Sequence, residues 1–321
     1  GRMAFRLFYS GGAPCSNYPF SPESSNRHYS VYTPEGLNLG KLLSLVKETD
    51  KIIGYPEGEK GWDSLKSIRE SNADIVIEVT YTDIETGEPA ISHIRAALKC
   101  KKHVVTTNKG PIALAYRELL ELARENGVSL RFEGTVLSGT PSLNLGLEAL
   151  AGAEIRKIRG ILNGTTNYIL TEMSKGINYQ AALKEAQRLG YAEAKPDADV
   201  EGWDALAKIV ILANVLIGGD VKVADVDREG ITGITLRDIE EAEKEGKCWK
   251  LIARAWREGD KVRAKVGPEK LGREDFLAHV GGMMNALIVD MDMSGEVTVI
   301  GPGGVKPASL CFPTCSVSTV H

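Results

Sequence analysis

Two runs of β-branched residues, Asp74-Ile75-Val76-Ile77-Glu78-Val79-Thr80 and His103-Val104-Val105-Thr106, do most to restrict what this chain can become. Each is compact, apolar at its centre and bounded by polar residues, the pattern of strands covered on both faces in a parallel sheet. Glu88–Lys99 between them has helical character, as does Ile112–Asn126 after them, which Gly127 closes as a C-cap. A third strand is expected over Val128–Glu133. Strands that alternate with helices imply βαβ units, whose ligands sit beyond the carboxyl ends of the strands. The loops at Thr80–Thr82 and Thr107–Gly110 are therefore candidate cofactor contacts. Lys109, just past a strand end and beside a glycine, is placed to meet a phosphate or a carbonyl; a solvated loop lysine is the alternative.

Upstream, Leu37–Thr49 and Trp62–Ser71 have amphipathic helical spacing, separated by a polar loop over Gly54–Gly61. Residues 1–30 show no helix or strand period. Met3–Tyr9 is a short strand candidate, and the Gly11-Gly12 pair after it reads as a turn rather than a G-x-G-x-x-G phosphate loop. From Gly134 the character changes. A helix is expected from about Ser142, a strand over Ile155–Leu162, and helices to about Ser174 and over Tyr179–Leu189. A further helix over Leu236–Gly246 precedes strands over Trp249–Trp256, Lys261–Val266, Gly282–Asp292 and Gly295–Gly301. The fold class is thus α/β: a Rossmann-like nucleotide domain over 1–133, then an α+β domain with an open antiparallel sheet over 134–300. A C-terminal tail, 301–321, expected to return to the nucleotide domain, follows.

A net charge of −4 over 321 residues argues against a nucleic-acid surface. No apolar run reaches the roughly 18 to 20 residues that span a bilayer, and no signal peptide is visible. Five scattered cysteines do not make a disulfide framework, and Cys311 and Cys315 have no further nearby ligand but His321 for a zinc site. The expectation is a cytoplasmic protein without nucleic-acid or membrane partners.

The stretch Leu189–Lys208 carries the densest chemistry. It sets Glu193, Asp197, Asp199 and Asp204 ahead of a run, Ala205–Ile217, whose only charge is Lys208. A lysine inside an apolar helix is costly unless paired, and Asp204 lies one turn before it on the same face. A snorkelling lysine with a supporting ion pair accounts for this stretch as well as a site does; the acids just upstream favour a site.

This stretch resembles the substrate-site signature of homoserine dehydrogenases. Leu189-Gly190-Tyr191, Glu193, Pro196, Asp199, Gly202, Asp204 and Lys208 fall at the family's spacings, while Lys195 stands where the family usually has an acid. In chain order, Thr107-Asn108-Lys109-Gly110, Glu133-Gly134-Thr135-Val136, Asn163-Gly164-Thr165-Thr166-Asn167-Tyr168-Ile169, Ile231-Thr232-Gly233-Ile234 and Gly301-Pro302-Gly303 are similar to further family motifs. The resemblance spans about Val31 to Gly303. It implies a monofunctional, homodimeric enzyme that interconverts L-aspartate 4-semialdehyde and L-homoserine with NADP or NAD, in threonine and methionine biosynthesis.

Carried over residue by residue, it implies Lys208 as proton donor with Asp204, and Glu193, Asp199 and Asp204 as substrate contacts. Lys109, Asn108, Thr80 and Gly303 would meet the cofactor. Glu133, Val136, Ser138 and Thr140 fall where the family can bind a monovalent cation such as Na+, although a tight turn organised by Gly134 and Gly139 explains them too. The N-terminal thirty residues and those after Gly304 depart from the family pattern, so weak cofactor binding is expected. No ACT-like module is expected after residue 321 and no kinase domain before residue 1. The alternatives are a non-catalytic relic with an intact substrate domain, or a reductase of another amino-acid aldehyde.

Overall fold

The computed structural model describes residues 30–49, 52, 54–293 and 295–303. The Met3–Tyr9 strand, the Gly11-Gly12 turn and the tail from 304 lie outside these residues. The described residues form two compact units, 30–135 with 222–224, and 136–221 with 225–303.

The first unit begins with β1 (Val31–Tyr32), α1 (Leu39–Thr49), β2 (Glu59–Lys60) and α2 (Ser64–Glu70). Strands β1 and β2 pair antiparallel, so the loop expected over 54–61 contributes a short strand. Val31, Leu42 and Tyr55 form a small core here. Then come β3 (Ile75–Glu78), α3 (Ala90–Lys99), β4 (His103–Thr106), α4 (Lys109–Glu125) and β5 (Leu130–Arg131). The three strands form a parallel sheet in the order β3-β4-β5, with Glu78 opposite Thr106 at the carboxyl ends. Helix α4 starts three residues earlier than its apolar spacing suggests. Asn108 caps it, and Pro111 fits the first turn, where no intrahelical N–H is needed.

The second unit opens with a π-helical turn, Leu145–Ala149, where a regular helix was expected. Gly146 packs so tightly there that a Cβ would lie 2.6 Å from Leu216 Cδ2. It continues through β6 (Ile155–Ile161), α5 (Gly164–Met173), α6 (Tyr179–Arg188), α7 (Asp197–Val200) and α8 (Trp203–Leu216). The last elements are β7 (Asp227–Arg228), α9 (Leu236–Lys244), β8 (Lys247–Glu258), β9 (Lys261–Gly272), β10 (Met284–Met291) and β11 (Gly295–Pro302). Six strands lie in the order β11-β10-β6-β8-β9-β7, antiparallel except for the short β7–β9 pair. Strands β8 and β9 run further than the sequence pattern suggested, through twelve residues each. They are joined by the two-residue turn Gly259-Asp260, and Gly259 takes the positive φ such a turn requires. Ile161, Ile252, Leu271, Leu277, Val280, Ala286 and Ile288 cluster on this sheet. Helix α8 is buried on every side from Ala205 to Ala213, Lys208 included.

Candidate active site

Each unit carries a cluster of polar groups among its described residues. In the second unit it forms where α5 and α8 begin. Asn163 takes an extended backbone before α5, and its Oδ1 accepts from the Thr166 N–H at 2.9 Å, a side-chain N-cap. That capping leaves the amide nitrogen pointing away from the helix. It donates to Asp199 Oδ1 at 2.7 Å and to Asp204 Oδ2 at 2.9 Å. The two acids come from consecutive helices, α7 and α8. Gly202 turns the chain between them with φ +84°, in the left-handed region that a side chain would strain.

Lys208 completes the cluster. Its Nζ donates to Asp204 Oδ2 at 2.6 Å and to the Leu162 carbonyl at 2.7 Å, which leaves one of its three N–H donors for another oxygen. The side chains of Lys208 and Asp204 are only 10% and 13% exposed. A buried ion pair gains little net stability over an apolar pair of similar size, because desolvation offsets the attraction. In a helix that is otherwise apolar this pair is therefore a candidate for chemistry. Among the described residues the two other buried lysines are engaged structurally: Lys102 donates to the Ile68 and Ser71 carbonyls at the end of α2, and Lys250 to Asn167 and the Val280 carbonyl.

Glu193 lies on the exposed link between α6 and α7, with Gln187 Nε2 holding its backbone carbonyl at 3.0 Å. It is thus not among the hydrogen-bonded groups around Lys208. Lys195 is exposed as well. The Leu189-Gly190-Tyr191 segment is tied to α5 by Thr165 Oγ1, which donates to the Tyr191 carbonyl at 2.7 Å, and by an edge-on contact of Tyr168 with Tyr191. Asn163 is the member that inspection of the acids and lysine missed. Its place in the Asn-Gly-Thr-Thr turn marks a helix cap, which already explains an asparagine there.

In the first unit, the loops after β3 and β4 meet. Asn108 Nδ2 donates to the carbonyls of Thr80 at 3.1 Å and Tyr81 at 3.0 Å, while its Oδ1 accepts from Gly110 N–H at 3.1 Å. This places Lys109 at the first position of α4. A Cβ on Gly110 would come within 2.3 Å of the Asp83 carbonyl, so glycine permits the approach of the two loops. Val79 and Tyr81 are 47% and 43% exposed beside them, apolar surface at the carboxyl end of a parallel sheet. Capped helix start, amide-rich loops and exposed apolar side chains fit a nicotinamide nucleotide.

Beneath these loops Glu78 is buried at 3% exposure. Burial pushes its carboxyl upwards, but the nearby His93 imidazole and the hydrogen bonds from Thr80 outweigh burial and hold it below its ordinary value. With the folded value below the unfolded one, the charged form stabilises this unit above the ordinary carboxylate range. That contribution is lost as pH falls through the depressed value. The melting-temperature gap between the wild type and Glu78→Gln is therefore expected to narrow on acidification from roughly pH 5 to pH 3. A gap constant across that range would contradict it.

Gly303 follows β11, where a Cβ would meet the Asn285 amide at 2.5 Å. Glu133 opens a single 3-10 turn, Glu133–Thr135. The Val136 carbonyl accepts from Ser142 Oγ at 3.0 Å, Leu137 and Ser138 take positive φ, and Thr140 Oγ1 donates to the Pro302 carbonyl at 3.1 Å. Among the described residues no group of three or more His, Cys, Asp or Glu side chains could hold a metal ion, and no helix is long and apolar enough to cross a membrane.

Residues 141–309 match the family model described as homoserine dehydrogenase, and residues 54–133 match that of the homoserine dehydrogenase NAD binding domain. The chain belongs to the homoserine dehydrogenase family. It is 46% identical to the homoserine dehydrogenase of Methanocaldococcus jannaschii over 84% of this chain and 79% of that protein. It is 44% identical to an NAD(+)-dependent homoserine dehydrogenase of Pseudomonas canavaninivorans over 91% and 83%. A hyperthermophilic archaeal homoserine dehydrogenase mutant, solved in complex with NADPH, superposes with a TM-score of 0.73 at 31% identity, over 85% of this chain and 79% of that one. The α/β architecture, with a Rossmann-like NAD-binding domain and a second sheet-containing domain, is that of the family. As a member of this family the chain is an oxidoreductase of amino-acid biosynthesis with a NAD-binding domain.

Proposed function

We propose that this chain reduces L-aspartate 4-semialdehyde to L-homoserine, and runs the reverse oxidation, with Lys208 as the proton donor. The observation that carries the reading is the Lys208–Asp204–Asn163–Asp199 cluster in a chain of this family. When bound, the dihydronicotinamide supplies the hydride to the aldehyde carbon. Negative charge then develops on the aldehyde oxygen, and the remaining Lys208 N–H is positioned to neutralise it. Asp204 keeps that ammonium oriented, and Lys208 regains its proton from water once the alcohol has formed. Asn163 keeps Asp199 and Asp204 together without adding charge. Glu193 takes the substrate ammonium, while Asn108, Lys109, Thr80 and Gly303 serve the cofactor. Residues 1–133 act as the dinucleotide domain and 134–300 as the substrate and dimer domain. A Na+ ion at Glu133, Val136, Ser138 and Thr140 would rest largely on backbone carbonyls.

The deciding experiment follows dihydronicotinamide consumption with aspartate 4-semialdehyde, for the wild type, Lys208→Ala and Glu193→Gln. Turnover by the wild type, its loss in Lys208→Ala, and a KM for the aldehyde raised roughly tenfold or more in Glu193→Gln are expected. A folded wild type that is inactive with both NADH and NADPH would sink the reading in favour of a non-catalytic relic; turnover only with another aldehyde would favour a different substrate. The chain is further proposed to be a cytoplasmic homodimer, joined through the second unit's sheet, which ends in β11. Light scattering that gives the mass of a single chain would refute the dimer.

A further inference from the structure

We propose that Glu78 is a positioning residue for the cofactor loops, acting through Thr80, Thr106 and Asn108. The proposal rests on the functional reading above only in naming the loops' ligand. Strands β3 and β4 bury alternate residues, so Glu78 and Thr106 share the covered rows of Val76 and Val104. An apolar residue in the place of Glu78 would extend that row at no desolvation cost, which makes a carboxylate there a poor choice for packing alone.

The carboxylate is instead fully engaged. One oxygen accepts from the Thr80 N–H at 2.9 Å and from the Thr80 hydroxyl; the other accepts from the Thr106 hydroxyl at 3.2 Å. His93 on α3 approaches from the remaining side, with Nδ1 at 3.9 Å. Because both hydroxyls spend their protons on Glu78, their lone pairs face outward, and both are used by one residue. Thr106 Oγ1 accepts the Asn108 N–H at 3.0 Å, and Thr80 Oγ1 lies 3.4 Å from Asn108 Nδ2. A buried anion thus sets the rotors of two threonines, the threonines fix Asn108, and Asn108 fixes the Thr80–Tyr81 loop and the start of α4 where Lys109 stands. A glutamine offers a single oxygen acceptor, so the threonine that faces its NH2 loses its carboxylate partner and turns its hydroxyl proton elsewhere.

Two measurements test the assignment. Direct fluorescence titration of NADPH and NADH onto Glu78→Gln, Thr106→Val and Thr106→Ser should give a Kd raised about tenfold in the first two. Thr106→Ser keeps the hydroxyl and should bind like the wild type, while the KM for the aldehyde moves by less than about twofold in all three. Hydrogen exchange, run without nucleotide, should show faster exchange over residues 79–83 and 107–111 in Glu78→Gln and Thr106→Val, with 116–125 of α4 unchanged. The exchange result stands even if the wild type binds neither nucleotide, an outcome that would fall on the functional reading. Unaltered exchange in both segments overturns the proposal. So does a Kd within about twofold of the wild type in both Glu78→Gln and Thr106→Val.

Discussion

Lys208→Ala is expected to lower kcat by roughly 100- to 10,000-fold, the range a positioned general acid contributes, while leaving the nucleotide Kd unchanged. A second substitution is needed, because alanine also breaks the pair with Asp204 and leaves a carboxylate 13% exposed without its lysine. Lys208→Arg provides it. A guanidinium keeps a positive charge beside Asp204 and can still donate hydrogen bonds, but it does not release a proton in the working pH range. If Lys208 only balanced charge in an apolar helix, arginine would rescue the activity that alanine loses. If it delivers the proton, arginine stays as inactive as alanine while the protein remains folded. Circular dichroism and nucleotide titration on both variants separate loss of chemistry from loss of structure. An active Lys208→Arg would remove the lysine from the proton-donor role.

How much of this could be read from the chain depends on how local the physics is. Strands β3 and β4 were legible because a row of β-branched residues has few other uses, and α8 because its apolar run is long. The Asp204–Lys208 pair was legible too, since four residues on a helix fix the two side chains on one face. Length was less legible. Strand β9 continues to Gly272 through Pro268, a residue that argues against a strand when read alone; pairing with β8, with Pro268 opposite Leu251, overrides that local preference. The regular helix expected after Ser142 yields to a π turn because Gly146 must fit against Leu216, seventy residues away in sequence. The site divided in the same way. Lys208, Asp204 and Lys109 stood out locally. Asn163 and Glu78 acquire their roles only when the fold brings Asp199, Asp204 and Thr106 against them. Glu193 shows the converse, a residue picked out by spacing whose exposed side chain lies outside the cluster.

Asn163→Asp isolates the one contact that spacing did not reveal. Aspartate caps a helix as well as asparagine does, so the bond to the Thr166 N–H and the start of α5 survive. What changes is the other end of the side chain. A neutral donor now 2.7 Å from Asp199 and 2.9 Å from Asp204 becomes a third carboxylate against two. Like charges this close cannot all remain ionised, and one acid of the group has its folded value raised. The proton it holds competes with Lys208 for Asp204 and disturbs the orientation of the ammonium. A fall in kcat/KM of roughly 100-fold or more is expected, as for other groups that orient a general acid. The sign of the accompanying pH effect is fixed. A carboxyl raised in the folded state stabilises below its unfolded value, and that contribution is lost as pH climbs through the folded one. The melting temperature of Asn163→Asp should therefore approach that of the wild type in acid and fall away from it towards neutral pH. Asn163→Ser keeps a cap and adds no charge, so its own deficit should stay flat with pH. Wild-type turnover in Asn163→Asp, or a melting deficit that does not move with pH, would mean that Asn163 caps α5 and does nothing for the acids beside it.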